Sequence, residues 1–470
     1  MKGISMKLLR VGLLVSFVIL SSGAFASVEW LGVYLQGQKI GYSYSKTEKA
    51  DLAGKKVDLT LSKMEIGTQM LGSSMRIVVD SSVWIDGGRL VQSYFKMTSG
   101  GRTLSVNARY SATQVIASLI TESGEEQKVI EIPVGKRILT DPMELVEAGI
   151  FPAVGKPIDA LIFSPETMEL VSIQVVNKGI EELETKAGKV KAQVVFVDDP
   201  RSPSTIYLSA KGDLIKMTGA LGIEMIPETE KEAKEFTGEA RIDLAAASRV
   251  TPDKMVFWDD KKVELEFSGI DLSKVPSDAR QQVKKSGEGW LVTLSLDREA
   301  NAKTSITDSS KAKADWTKPD TRVPSDDPEM MKLAKKIVGN EKTVVAAAHK
   351  IHEYVFSEMG VNAGIGVMRD AREILKTKEG VCRDHAILAG TLLRAAGIPT
   401  RFANGLVLYN GSYYYHAWVE FWDGDGWIGM DTTRPALRLG SGYLKTSQGT
   451  VGQALQGFLL DGAKIKVIGH

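Results

Sequence analysis

The sequence predicts a multidomain chain in which a β-rich N-terminal region, an antiparallel sheet or sandwich, is followed by an α+β unit. Three observations predict it. Across residues 27–236, short apolar or alternating runs are separated by Gly-rich turns. After Asp327 the apolar residues switch to helical spacing. A cysteine, a histidine and an aspartate then follow in order within residues 379–433, on a helix start and two strand-like runs.

Residues 1–26 have a basic start, an apolar run over residues 11–20 and a small-residue site at Ala24 and Ala26. This is the pattern of a cleavable secretory signal, so a periplasmic or extracellular location is expected. No cysteine follows the apolar run, so no lipid anchor is expected. The β-rich domain is placed at residues 27–240. Its turns include Asp86, Gly87 and Gly88 between Ile85 and Leu90, and Lys211, Gly212 and Asp213 between Leu208 and Leu214. Helix-like pieces fall only near residues 141–148 and 228–236. Trp30, Tyr34, Tyr42, Tyr44, Trp84 and Tyr94 read as β-core aromatics, with a sugar- or lipid-binding face as the alternative.

A small β module over residues 241–300 rests on the strand-like runs 262–267 and 290–295. Residues 301–327, polar and carrying Pro319 and Pro324, read as a linker. The α+β domain, residues 328–470, opens with Asp327 as a cap and Pro328 in the first turn of a helix. A second helix over residues 341–359 puts Val344, Ala348, Ile351, Val355 and Met359 on one face. His349 and His352 lie within it at a spacing that matches no zinc helix, and His352 reads as a packed core histidine. Asp370 caps a short helix ahead of the cysteine turn.

Cys382 starts a helix whose apolar positions are Ala386, Ile387, Leu393 and Ala396, with Gly397 and Pro399 as its stop. The helix dipole and free N–H groups there favour the thiolate and an oxyanion. Strands over residues 400–409, 412–422 and 426–432 follow, joined by Asn410-Gly411 and by the turn at residues 423–426, an antiparallel meander. His416 and Asp431 share a face if residue 419 pairs with 428 or 430, and are separated if it pairs with 429. The carboxylates of Asp423 and Asp425 read as turn residues rather than a calcium loop. Residues 464–468 read as a strand completing the edge of this sheet. Small residues at Gly380 and Ala386 suggest close backbone approach to the site.

A thiol nucleophile needs a base, and the base needs a third group to orient it. Cys382, His416 and Asp431 supply one candidate each. His385 shares the helix of Cys382 and is the weaker base. The chain has 43% hydrophobic and 25% charged residues and a net charge of +1. Loss of Lys2, Lys7 and Arg10 with the signal leaves about −2, which argues against nucleic acid as a partner. One cysteine cannot form an intrachain disulfide, and a lone thiol in an oxidising compartment is best explained if it works.

From about Asp326 onward the chain resembles the transglutaminase-like superfamily, whose fold is papain-like. The resemblance is carried by residues 371–375 (AREIL), 380–386 (GVCRDHA), 393–399 (LRAAGIP), 416–418 (HAW) and 427–431 (WIGMD). It implies that Cys382, His416 and Asp431 are catalytic and that a thioester forms from an amide or peptide substrate. Trp418 would wall the substrate site. This chemistry requires no cofactor and no metal. Hydrolysis is favoured over amine transfer, because an amine site is not identifiable. The alternative is an envelope binding or scaffolding protein with a vestigial triad.

Overall fold

A computed structural model describes residues 28–469 except 143, 146–152, 186–187, 237, 239–241, 259, 455–459 and 461. The expected signal lies outside the described residues, as does part of the helix expected at residues 141–148. The described chain forms two compact units that meet at residues 243 and 244.

The first unit is built on one 15-stranded sheet: β1 (Val28–Leu35), β2 (Gln38–Leu52), β3 (Lys55–Met70), β4 (Ser73–Asp86), β5 (Arg89–Ser99), β6 (Arg102–Tyr110), β7 (Gln114–Thr121), β8 (Gly124–Glu131), β9 (Ile138–Leu139), β10 (Pro157–Ser164), β11 (Glu169–Thr185), β12 (Gly188–Asp198), β13 (Ser204–Leu208), β14 (Leu214–Thr218) and β15 (Ile223–Glu228). The sheet runs from β8 back to β1, crosses to β15 and continues back to β9. Neighbours are antiparallel except β9 and β10. The alternation that predicts these strands is visible as burial of Ile77, Val79 and Met97 between exposed or half-exposed neighbours. Helix α1 (Glu230–Lys234) starts at Thr229, whose side chain and Glu232 form a reciprocal capping box.

In the second unit β16 (Lys262–Ser268), β17 (Gln281–Ser286) and β18 (Gly289–Ser295) form a small sheet. Its fourth strand is β25 (Lys464–Gly469), antiparallel to β16. The strand expected on the edge of the sheet that carries His416 thus belongs to a different one. Residues 301–327, expected as a linker, hold helix α2 (Ile306–Ala312) and a 3₁₀ turn over Ala314–Thr317. Ser305 caps α2, and Ser309 donates to the Trp422 carbonyl, so this polar stretch spends its hydrogen-bonding groups on a cap and on a distant strand.

Helix α3 (Pro328–Val338) has Asp327 as its cap, with the carboxylate accepting from the N–H groups of Glu329 and Met330. Helices α4 (Val344–Glu358), α5 (Ala371–Thr377) and α6 (Cys382–Ala395) follow. The second sheet runs β23 (Trp427–Met430), β22 (Ser412–Trp422), β21 (Thr400–Tyr409), β24 (Tyr443–Gly449). The core beneath it joins Ala348, Ile351, Ile387 and Leu392 to Phe402, Val419 and Phe421. The architecture is β-rich with a large N-terminal sheet, followed by a region of mixed helices and strands.

Candidate active site

The β21–β22 turn places Asn410 at φ 46° and Gly411 at φ 75°. Both are left-handed, as a tight two-residue hairpin of this twist requires, which is why Asn-Gly occupies it. On β22, Val419 and Phe421 enter the helical core, while His416, Trp418 and Glu420 alternate to the other face. Residue 419 pairs with 430, so His416 and the residue after β23, Asp431, meet diagonally. His416 Nε2 donates to Asp431 Oδ2 at 2.8 Å.

Cys382 stands at the first position of α6, next to His416. The imidazole's other nitrogen, Nδ1, has no partner in hydrogen-bond geometry. Cys382 nevertheless acts on that ring, chiefly by charge. An open nitrogen beside a thiol is where a proton can go. Burial works against a charged imidazole, but the facing charges of Asp431 and Cys382 outweigh it and raise the His416 pKa to about 9. Burial likewise opposes ionisation of Asp431, yet the His416 charge and the donors around the carboxylate hold it well below the usual range.

The aspartate is fully engaged. Tyr443 donates its hydroxyl to Oδ2 at 2.6 Å. Thr433 donates to Oδ1 from its N–H at 2.9 Å and its hydroxyl at 2.7 Å. Two buried histidines fix the backbone at the same point: His352 Nε2 donates to the Asp431 carbonyl at 3.1 Å, and His385 Nδ1 to the Thr432 carbonyl at 3.2 Å. Burial lowers the pKa of both rings, so they serve as neutral donors. His352 is packed and hydrogen-bonded as its sequence position suggests, and His385 is committed to a carbonyl.

Tyr443 and Thr433 had no signal of their own in the sequence. Tyr443 reaches Asp431 because β24 lies close against β21. At Gly405 any side chain would collide with the Leu444 carbonyl. The small sheet also holds β24: Gln281 donates to the Lys445 carbonyl at 2.7 Å and accepts from the Lys445 N–H at 2.8 Å. The Lys445 ammonium is buried between Glu420 at 2.7 Å and Asp278 at 2.6 Å. Replacing Tyr443 by Phe is expected to lower kcat about tenfold with KM nearly unchanged, because one donor to the carboxylate is lost while the His416 bond stays. Steady-state kinetics on an accepted amide would check it, and unchanged kcat would show the hydroxyl to be structural only.

The turn that presents Cys382 is held from below by charge. Asp384 Oδ2 accepts the Val381 N–H at 2.9 Å, closing the first turn of α6. Arg369 lies 3.3 Å from its Oδ1, both side chains being fully buried. Arg369 also donates to Thr377 Oγ1 at 2.9 Å and to the Glu379 carbonyl at 2.5 Å. A Cβ on Gly380 would stand 2.5 Å from the Asp384 side chain. The glycine therefore makes room for the capping carboxylate, and the close approach suggested by sequence is made by Asp384. Arg383 donates to the Val367 carbonyl at 2.9 Å and pins the preceding loop.

Trp418 packs with Ala403, Val407, Leu439 and Tyr443, and its ring lies 6.3 Å from that of His416, nearly parallel to it. Cys382, His416, Asp431 and Trp418 are each 1% exposed, so the site is almost entirely screened from bulk water. The Asp423 carboxylate accepts from Arg298 at 2.6 Å and from the N–H groups of Asn301, Asp425 and Gly426. That is the turn role expected of it.

Residues 331–432 match the family model of the transglutaminase-like superfamily. This C-terminal part of the chain is therefore a transglutaminase-like region. The chain is similar to a candidate cysteine protease from Cytophaga hutchinsonii, at 19% identity over 47% of this chain and 84% of that one, with a TM-score of 0.31. It is also similar to a beta-barrel-like protein of a domain of unknown function from Brucella abortus, at 13% identity over 43% of this chain and 96% of that one, with a TM-score of 0.32. A candidate protease from Parabacteroides distasonis matches at 11% identity over 81% of this chain and 67% of that one, with a TM-score of 0.21. No curated protein matches the chain. Among the described residues no helix is long and apolar enough to cross a membrane.

Proposed function

We propose that the chain is a secreted or periplasmic cysteine enzyme that cleaves amide or peptide bonds through a thioester. The observation that carries this reading is the hydrogen bond from His416 to Asp431, with the charge of Cys382 acting on the same imidazole ring. Cys382 gives its proton to His416 and attacks the carbonyl carbon, forming a tetrahedral adduct. His416 then returns that proton to the departing amine or ammonia, and the C–N bond breaks to leave a thioester on Sγ. Water, deprotonated by His416, attacks the thioester and releases the carboxylic acid and the thiol. Asp431 keeps the ring in one tautomer and stabilises its cation. Trp418 stacks along the ring and helps keep the site dry, so charge developing there is weakly screened. An amine could replace water, but hydrolysis needs no second binding site.

The test is the pH dependence of Cys382 alkylation by iodoacetamide in the wild type and in His416→Ala. Reactivity is expected to rise at a pH well below the free-thiol value of roughly 8.5, and to shift upward in the variant. A thiol that stays unreactive in the native protein, or is indifferent to His416, overturns the reading. Turnover has a second limit. The leaving amine needs the imidazolium, which His416 holds up to a pKa of about 9 in the free protein, so kcat/KM is expected to fall as pH rises through that value. A pH–rate profile with no such alkaline limb would exclude His416 as the acid.

A further inference from the structure

We propose that the N-terminal sheet is a binding site for one extended hydrocarbon chain. Strands β4 and β10 are far apart in strand order, yet Ile77, Val79 and Val83 of β4 line the same cavity as Ile162 and Phe163 of β10. The sheet therefore rolls on itself, and Tyr110 of β6 meets Phe163 edge to face at 6.2 Å. The cavity, partly open to solvent, measures about 150 Å³.

Its shape is a graded slot. Inward positions of β4 run Ile77, Val79, Ser81, Val83, and β5 places Met97, Phe95 and Ser93 opposite the last three. The end at Ile77, Val79 and Met97 is buried, while Val83, Leu90, Ser93 and Phe95 remain half-buried although they face inward. Six residues of strand at about 3.3 Å each make the slot roughly 20 Å long. It is closed by apolar side chains at one end and unfilled toward the other.

The lining also carries polar groups, among them Ser62, Ser81, Tyr94 and the buried Glu166, and several of the others are paired with one another or with close neighbours. Tyr110 and Ser93 share a hydrogen bond of 2.8 Å, Arg201 is bound to Asp199 at 2.5 Å, and Thr140 bonds to Glu144. The wall along β4 and β5 is mainly apolar, from Ile77, Val79, Val83, Leu90, Phe95 and Met97, and favours an occupant that asks for few hydrogen bonds. Length, a buried apolar end and this apolar wall together select a single-chain amphiphile, with its tail along β4 and β5 and its head at the half-buried end.

The experiment uses the full chain after lipid extraction, titrated with cis-parinaric acid, whose fluorescence rises out of water. Saturable binding with one site per chain is expected, displaced by oleic acid. Displacement by lysophosphatidylcholine as well would assign any single-chain amphiphile, and displacement by oleic acid alone would assign the free acid. Ser81→Trp fills the middle of the slot and is expected to weaken binding at least about tenfold. Ser82→Trp, on the other face of β4, is expected to bind as wild type. Should Ser81→Trp fail to fold, Val83→Trp at the half-buried end takes its place. Absence of saturable binding, or folded Ser81→Trp and Val83→Trp proteins that bind like wild type, overturns the proposal.

Discussion

Asp431→Asn is expected to lower kcat on an accepted amide about 10⁴-fold, the scale seen when a triad's orienting carboxylate becomes an amide. Both His416 and Tyr443 donate to the same oxygen, Oδ2. An amide can offer its one carbonyl oxygen either to that pair or to the two Thr433 donors on the other side. Whichever it chooses, an NH₂ group then faces a donor. If His416 turns or changes tautomer in response, Nδ1 carries a hydrogen and no longer accepts the thiol proton. The variant should stay folded, because the backbone at residues 431 and 432 is still held by His352 and His385. Steady-state kinetics with circular dichroism on the same sample check the expectation, and a loss smaller than about tenfold would mean that Asp431 does not orient the base.

The second large effect is on stability. Arg369→Met should destabilise the protein by about 3–5 kcal/mol, because it strands the buried Asp384 carboxylate and frees two acceptors that Arg369 now satisfies. Arg383 Nη2 is 3.6 Å from the same oxygen and is already spent on the carbonyls of the 365–367 loop, so it compensates only in part. The turn bearing Cys382 should loosen with it, and alkylation should lose its dependence on His416. Adding Asp384→Asn removes the stranded charge while keeping an acceptor for the Val381 N–H, and should recover part of the loss. Urea unfolding of the single and double variants measures both. A single variant within about 1 kcal/mol of wild type would show that Arg369 is dispensable to the turn.

Much of the site was legible because it is written locally. A helix start at Cys382 follows from the apolar spacing after it and the stop at Gly397 and Pro399, and the Asn410-Gly411 hairpin from two residues that tolerate positive φ. These put the thiol and the imidazole on known elements. They did not put the imidazole and the carboxylate on one face, because a one-residue slip of β22 against β23 costs nothing visible in the sequence and reverses the answer. Pairing of 419 with 430 decided it.

Other parts were hidden for different reasons. Strand β24 looks polar because Lys445 and Thr446 interrupt it, and only the partners Glu420 and Asp278 explain how an ammonium is buried there. Residues 301–327 look like a linker because their serines, threonines and aspartates serve caps and turns, which leave no periodic apolar face. In the N-terminal region, alternation forecasts strands but not that one sheet curls round an apolar slot. By itself the sequence determined most of the elements, the class of the C-terminal region and the residue types its chemistry needs, since propensity, caps and turns act over a few residues. Tertiary structure alone decided the register that joins His416 to Asp431, the arrival of Tyr443 on a distant strand and the burial of Arg369 against Asp384. Each depends on contacts between residues far apart in the chain, whose free energy appears only when the elements pack.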